Sequence, residues 1–586
     1  MNRVVRMVAL VWVGCSSAWA QSHPASLPQT HAGPEKSIQF GGANPEKAGG
    51  ATTQADAAGY VGNEACAGCH AAIYQSYART PMARASGPAI ENVVPADFFH
   101  PSSGVHYSIY SEAGRVWLSF ERPGDPAVRG KRELLYYIGS GRRGLSYLFA
   151  RDGFLFESPV NWYSHERRWD MAPAYQNAHE IPLNLPAYTS CLRCHVSGMR
   201  APVKGTDNLY PMPAFLHAGV TCERCHGPGA AHIIAAQDTE AAGPIVNPTK
   251  LSPERRDAVC RQCHLEGRVA IERPGRHAYE FQPGESLSEY IRYYIPAGAQ
   301  EGGLGGVSQV EAMAQSVCKR KSGDGMSCIS CHDAHHAPSA EERVSYFRAK
   351  CLACHGTDFG TTHHAAQPDC TSCHMPASAS TDVAHTQVTD QRIPRFPIVS
   401  TQALRDSKLL PETLRLVPFP DSPEAEQDVR DLALAWQSLA NDGMDAAEFQ
   451  AERLLRSAAL NFPNDPDVLS ALGYIEQRHG STGQARELYR RALILNPDLI
   501  DAASNLGVIE AKSGQLREAL ELWQGAFRLA PGRSNLGMNL VATFCGAKRF
   551  DEARTTALRV LEFNPDMAAA KKALQRLNRT PPDCGD

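Results

Sequence analysis

Residues 219–232 read GVTCERCHGPGAAH. Cys222 and Cys225 stand three apart, His226 follows directly, Gly-Pro-Gly breaks the chain, and His232 arrives six residues after His226. Three chemistries place two thiols and an imidazole this close together: a zinc site, a redox dithiol, and a porphyrin held by thioethers. The fragment alone does not choose between them. The rest of the chain does.

CxxCH occurs seven times, as CAGCH at 66, CLRCH at 191, CERCH at 222, CRQCH at 260, CISCH at 328, CLACH at 351 and CTSCH at 370. Each pair of thiols is followed at once by histidine: Cys66, Cys69 and His70; Cys191, Cys194 and His195; Cys222, Cys225 and His226; Cys260, Cys263 and His264. The same holds for Cys328, Cys331 and His332; Cys351, Cys354 and His355; Cys370, Cys373 and His374. Covalent haem c needs this set, because two thiols add to the two vinyl groups and the adjacent imidazole reaches the iron from one short turn. The interior pairs vary freely, as expected if only Cys, Cys and His meet the cofactor. A structural zinc site needs two facing pairs, and seven pairs are odd in number. A thioredoxin-like dithiol needs one pair on a βαβ unit, and disulfides between cysteines three apart constrain little. The pattern predicts seven covalently attached haems, with an iron at each.

Successive motifs begin 125, 31, 38, 68, 23 and 19 residues apart. Motifs 19 to 38 apart are expected to place their porphyrins side by side, in a chain built to carry electrons. Each iron needs a second axial ligand unless it does chemistry. His232 after Gly-Pro-Gly, His335 or His336 in CHDAHH, His385, His100, His217, His179, and His363 or His364 form the pool. Met82 is a further candidate, and Cys318 is a lone thiol ten residues before a motif. Arg142-Arg143, Arg167-Arg168 and Arg255-Arg256 are candidates to neutralise propionates, with a solvated surface as the plainer account.

The chain of 586 residues is 43% hydrophobic and 20% charged, with a formal charge of −4, so nothing in its charge points to nucleic acid. A basic start, a short apolar run and small residues at Ala18 and Ala20 predict a signal peptide over 1–20. The expected product is periplasmic or otherwise exported, with no transmembrane span. A flexible linker is expected over 21–59, and a second linker over 401–424. Within 105–163, runs such as VHYSIYS and RVWLSFE alternate and predict a small antiparallel sheet.

Further on, Pro463, Pro497, Pro531 and Pro565 recur every 34 residues, with Gly473 and Gly507, Gly480 and Gly514, and Ala458, Ala492 and Ala526 on the same offset. This period resembles tetratricopeptide repeats over 425–580, a helical solenoid that docks partner proteins. Cys545 and Cys584 lie there and are candidates to pair.

CHGPGAAH, IVNPTKLSPERRDAVCRQCHLEG, CISCHDAHH, CTSCHMP and HTQVTDQRIPR together resemble bacterial multihaem cytochromes c with doubled CxxCH motifs and a tetratricopeptide tail. They are similar to the superfamily of the nitrification tetrahaem carrier, pentahaem nitrite reductase and hydroxylamine oxidoreductase. YYIGSGRRGLSYLF and PVNWY look like the sheet of the tailed members. The resemblance implies mainly bis-histidine haems, with His232, His335 and His385 as distal ligands. Nitrite reductases of this superfamily commonly have a Lys-ended motif, which is absent here, and Gln391 stands where relatives often carry histidine.

The expected fold is therefore mainly α. An irregular multihaem cytochrome c domain over 60–400 carries a small antiparallel β insertion and leads to an α-helical solenoid. The expected function is electron relay, with the repeats docking a redox partner protein. The alternative is a multihaem oxidoreductase acting on a small nitrogen or sulfur compound at one open-site haem, so the sequence leaves enzyme or carrier undecided. No feature marks a catalytic residue.

Overall fold

The computed structural model describes residues 59–584 apart from 176–177, 182, 240–242, 298–307, 364–365, 381–384, 396–413 and 421–427. The expected signal peptide, nearly all of the 21–59 linker, most of the 401–424 linker and His364 lie outside the described residues.

The first half is built on a sheet, which corrects the expectation of a mainly α chain with a small β insertion. Nine antiparallel strands form it: β1 Ser86–Pro88, β2 Ala96–His100, β3 Val105–Glu112, β4 Arg115–Arg122, β5 Asp125–Ile138, β6 Gly144–Arg151, β7 Phe154–Glu157, β8 Val160–Tyr163 and β9 Arg168–Met171. The order is β2-β3-β4-β5-β6-β8-β9, with β1 added to β5 and β7 to β6. Val105, Tyr107 and Ile109 on β3 and Val116, Leu118 and Phe120 on β4 alternate into the core, as the period-2 pattern requires. The end strands come side by side, and Trp169 Nε1 donates to the Pro95 carbonyl at 3.0 Å, so the sheet curls close to a barrel. Helix accounts for 46% of the described residues, too little for the mainly α reading. The short strands β1, β2 and β9 lie outside the predicted window because runs of three to five residues carry almost no periodic signal. Their pairing is decided by distant partners.

The second half is helical. Helix pairs Asp428–Asn441 and Asp445–Asn461, Pro466–Arg478 and Thr482–Leu495, Ile500–Lys512 and Leu516–Leu529, and Ser534–Gly546 and Phe550–Phe563 are followed by Ala568–Leu577. Asp465 caps the third helix, its carboxylate accepting from the Asp467 and Val468 amides at 3.0 Å each, with Pro466 at the first helical position. The small residues of the repeat are where helices touch. A Cβ on Gly473 would sit 2.9 Å from Tyr489 Cε1. Cys545 and Cys584 form a disulfide that ties the chain's end to the helix at 534–546.

The solenoid is packed along the rest of the protein through its proline loops. Asp498 covers Gly205, Asn184 donates to the Gly532 carbonyl at 3.0 Å, and the Leu183 amide donates to the Phe563 carbonyl at 2.9 Å. Phe563 completes the sheet's core beside Phe156, at 5.4 Å between ring centres. Arg122 of β4 holds Asp566. At the other end, strand Leu416–Phe419 pairs with Ile291–Pro296, and Arg273 and Arg292 bind Asp428 at 3.0 and 2.6 Å. Among the described residues, no helix is long and apolar enough to cross a membrane.

Candidate cofactor centres

Each CxxCH sits on or beside a short helical turn. The His70 amide donates to the Cys66 carbonyl at 2.9 Å, His226 to Cys222 at 3.0 Å and His332 to Cys328 at 3.0 Å. The motifs at 260 and 351 end the helices Pro253–His264 and Arg343–His355, and the motif at 370 is the helix Cys370–His374. One turn places residues i, i+3 and i+4 on one face, so both thiols and the imidazole look the same way.

The turns gather into a connected set. Cys66 contacts Cys222, Cys194 contacts Cys263, Cys260 contacts Cys328 and Cys351 contacts Cys370, each through their thiols. Motif one, 125 residues from motif two, is thereby joined to motif three. Glu223 makes that join. Its buried carboxylate accepts from the Val61, Gly62 and Gly229 amides, each at 2.9 Å. Burial pushes the Cys225 thiol up to about 11, so it is a neutral thiol in the unloaded chain.

Three histidine pairs face each other. His70 and His232 have ring centres 6.4 Å apart and planes 16° apart; His226 and His335 are 5.9 Å and 9° apart; His363 and His374 are 6.1 Å and 30° apart. An imidazole nitrogen binds a metal at about 2.0–2.1 Å and lies ~1.1 Å from its ring centre, so two rings on opposite sides of one ion stand ~6.3 Å apart. The centre-to-centre separations of the three pairs are close to that spacing. His226 Nδ1 donates to the Val246 carbonyl at 2.7 Å and His374 Nδ1 to the Pro394 carbonyl at 2.9 Å. Those bonds leave Nε2 as the ligating atom and fix the ring's orientation. Burial pushes His195, His226 and His332 below the usual imidazole range, toward the neutral form that ligates. Ile73, Ile234, Ile329 and Phe359 are exposed close to the motifs, an apolar lining that a porphyrin face would cover. Among the described residues no group of three or more His, Cys, Asp or Glu is placed to hold a metal ion. Pairs are what haem asks for, since the porphyrin supplies the other four donors.

The remaining candidates lie elsewhere. His336 faces Ser76 and Glu342 while its neighbour His335 faces His226. His385 has Nδ1 2.9 Å from Glu166, in the turn between β8 and β9, and Nε2 3.0 Å from Asp170 on β9, so both nitrogens rest on carboxylates. His100 is buried in β2 with Nδ1 2.8 Å from Ser103 Oγ, and His179 reaches the Ser102 carbonyl at 3.3 Å. His217 packs on Gly62 and Gly198, between the first two motifs. His264 Nδ1 is 3.2 Å from Gln309 Oε1, and His355 lies 5.1 Å from Phe359. The Met82 carbonyl accepts from Val220, and Cys318 stands near Cys331 and Cys351. Sequence reasoning passed over Glu223, Arg193, Arg224 and Gln262. All lie inside motifs, where varied residues were expected to be idle, and an acidic residue beside a buried thiol was the available signal.

A family model for cytochrome c554 and c-prime matches residues 160–227, which include the motifs at 191 and 222, and a tetratricopeptide repeat model matches residues 510–577. The chain thus carries a cytochrome c-type segment, with which haem c binding and electron transfer belong, and repeats of a protein-interaction type. No curated protein matches it. Among solved structures, it is similar to a MamA RS-1 double mutant, at 19% identity over 27% of this chain and 85% of that one, with a TM-score of 0.24. MamA from Desulfovibrio magneticus RS-1 is similar at 19% identity, over 25% of this chain and 84% of that one, with a TM-score of 0.23. The Cut9-Hcn1 hetero-tetramer is similar at 21% identity, over 25% of this chain and 30% of that one, also at 0.23. Likeness of this extent carries no weight for fold or function.

Proposed function

We propose that this chain is an exported heptahaem cytochrome c that relays electrons between closely set haems, and that its repeats dock a redox partner. It fits the doubled-motif, tetratricopeptide-tailed members of the nitrite reductase and hydroxylamine oxidoreductase superfamily. The observation that carries this reading is the set of facing imidazoles: His70 with His232, His226 with His335, and His374 with His363. Haem c supplies reversible one-electron chemistry when bound. The chain's residues do the rest. Paired thiols of different motifs set attachment points side by side, carbonyls of Val246 and Pro394 orient their histidines, and the sheet and repeats hold the array in place.

Mass spectrometry and electron paramagnetic resonance of the purified ferric protein test it. Seven added tetrapyrroles and low-spin signals from bis-histidine irons are expected. Protein that is colourless after export with a competent maturation system overturns it.

The second reading, an oxidoreductase for a small nitrogen or sulfur compound, has one observation in its favour. A cavity of about 200 Å³ beside Pro394 is lined by Arg320, Arg392 and Arg395 together with Val317 and Ile393. Asp390 already holds Arg392 at 2.6 Å, which weakens its pull on an anion. A high-spin five-coordinate signal with nitrite, hydroxylamine or tetrathionate turnover selects this reading.

A further inference from the structure

The chain between the motifs at 351 and 370 folds back on the first of them. Helix Arg343–His355 ends in CLACH, and Gly356, at φ 76°, turns the backbone into the short helix Thr357–Thr362. That conformation is open to glycine and strained for a residue with a Cβ. The two helices touch at Gly360, where a Cβ would sit 2.8 Å from Leu352 Cδ2. Arg348 fixes the arrangement from the longer helix. Its Nη2 donates to the Gly360 carbonyl at 2.7 Å and its Nη1 to the Pro368 carbonyl at 3.2 Å, two residues before Cys370. One guanidinium thus ties the short helix to both motifs.

This turn lays Phe359 between two histidines. Its ring centre is 5.1 Å from that of His355, with planes 30° apart, and 4.6 Å from that of His363, with planes 20° apart. Both separations lie in the ~4.5–7 Å range over which offset rings attract. His363 in turn faces His374 at 6.1 Å. Four rings therefore run in series from one motif to the next. Phe359 is 43% exposed, so burial in a core does not account for its place. Other motif histidines take their orientation from a hydrogen bond at Nδ1: His226 from Val246, His374 from Pro394 and His264 from Gln309. Among the described residues His355 has no such bond, and the side chain stacked on its ring is Phe359.

We propose that Phe359 is a positioning residue shared by two haem centres. It holds the ring of His355, the proximal ligand at the motif beginning at 351, and the ring of His363, the distal ligand at the motif beginning at 370. The proposal rests on the haem reading above and adds to it a residue outside both the CxxCH motifs and the ligand pool. Stacking covers the face of an imidazole and leaves its edge nitrogens free for iron. A ring held by its face cannot rotate about an iron–nitrogen bond without leaving Phe359, so the clamp fixes the orientation that a carbonyl fixes elsewhere. The mutual rotation of two axial imidazoles sets the g anisotropy of a low-spin ferric iron, which makes the clamp visible in a spectrum.

Electron paramagnetic resonance of the ferric Phe359→Leu holoprotein tests it, with Phe359→Tyr as the variant that keeps the ring. His363→Ala marks the signal that belongs to the motif at 370. In Phe359→Leu with haem mass unchanged, that signal and one other low-spin signal are expected to shift and broaden, while the rest stay at parent positions. Phe359→Tyr is expected to keep both at parent values. A parent spectrum in the Leu variant overturns the proposal. So does a change confined to one signal, or a Tyr variant that moves as far as the Leu variant. Where the Leu variant loses haem, a structure of the parent holoprotein decides: Phe359 stacked on both imidazoles is expected, and a ring turned away from either one overturns the clamp. Peptide mass mapping that finds no tetrapyrrole at 351 and 370 sinks the haem reading itself, and so separates that failure from failure of the clamp.

Discussion

Glu223 gives the sharpest test of how the motifs are assembled. Its carboxylate is 2% exposed and accepts three amide N–H bonds, from Val61 and Gly229 on Oε1 and from Gly62 on Oε2. In Glu223→Ala all three amides lose their acceptor. Each buried N–H left unpaired costs about 1–3 kcal/mol, so the loss is roughly 6 kcal/mol in total. Glu223→Gln keeps one oxygen and turns an NH2 toward one amide, so a single bond fails at about 2 kcal/mol. Because the Val61–Gly62 segment leads into the first motif, the damage is expected to be local and to separate that motif from the third. Amide hydrogen exchange reads this directly. In the Gln variant, exchange at the affected amides is expected to rise about 30-fold, since 1.36 kcal/mol is tenfold. In the Ala variant all three amides exchange far faster, and the signal from the His70 and His232 pair changes. Parent-level exchange at Val61, Gly62 and Gly229 in the Ala variant would falsify the clamp.

Other outcomes follow from the same geometry. In His335→Ala, one low-spin ferric signal is expected to become high-spin with no change in haem mass, read by paramagnetic resonance; unchanged spectra would exclude His335 as a ligand. Burial opposes ionisation of Asp566, yet the bonds from Arg122 and Lys571 win and hold its carboxyl below the usual range. A depressed folded-state pKa contributes stability above the unfolded value of about 3.9, and that contribution is lost as pH falls through the folded one. Urea midpoints of Asp566→Asn should therefore lie below the parent's near neutrality and converge with them in acid; parallel curves would refute the linkage. Gly473→Ala gains about 1 kcal/mol of helix propensity, but its Cβ meets Tyr489 at 2.9 Å, where overpacking costs about 1–3 kcal/mol. Net destabilisation is expected in thermal unfolding, and a stabilised variant would show that the repeat yields there.

The sheet was only half legible. The strands β3 and β4 alternate over eight residues each, enough to announce themselves. Their length could not reveal that β1 adds to β5, or that the ends of the sheet meet at Trp169 and Pro95. The histidines show the same division. His232 and His335 stand out by spacing and do face motif histidines, whereas His385, another member of the pool, lies between Glu166 and Asp170. His363, an alternative in the sequence, is the ring opposite His374. No local pattern separates these cases, because each depends on where a distant carboxylate or imidazole comes to rest.

By itself the sequence determined what is built within a few residues: seven turns presenting two thiols and an imidazole on one face, and a 34-residue period that repeats a helix pair. These follow from bond geometry and helix pitch, which act locally. Only the tertiary structure decided that the first motif adjoins the third, that Arg193, Arg224 and Gln262 interlock, and that the repeats' proline loops rest against the sheet. Those choices are made by burying charge and apolar surface against partners tens to hundreds of residues away, and a burial partner at that distance leaves no mark in the local sequence.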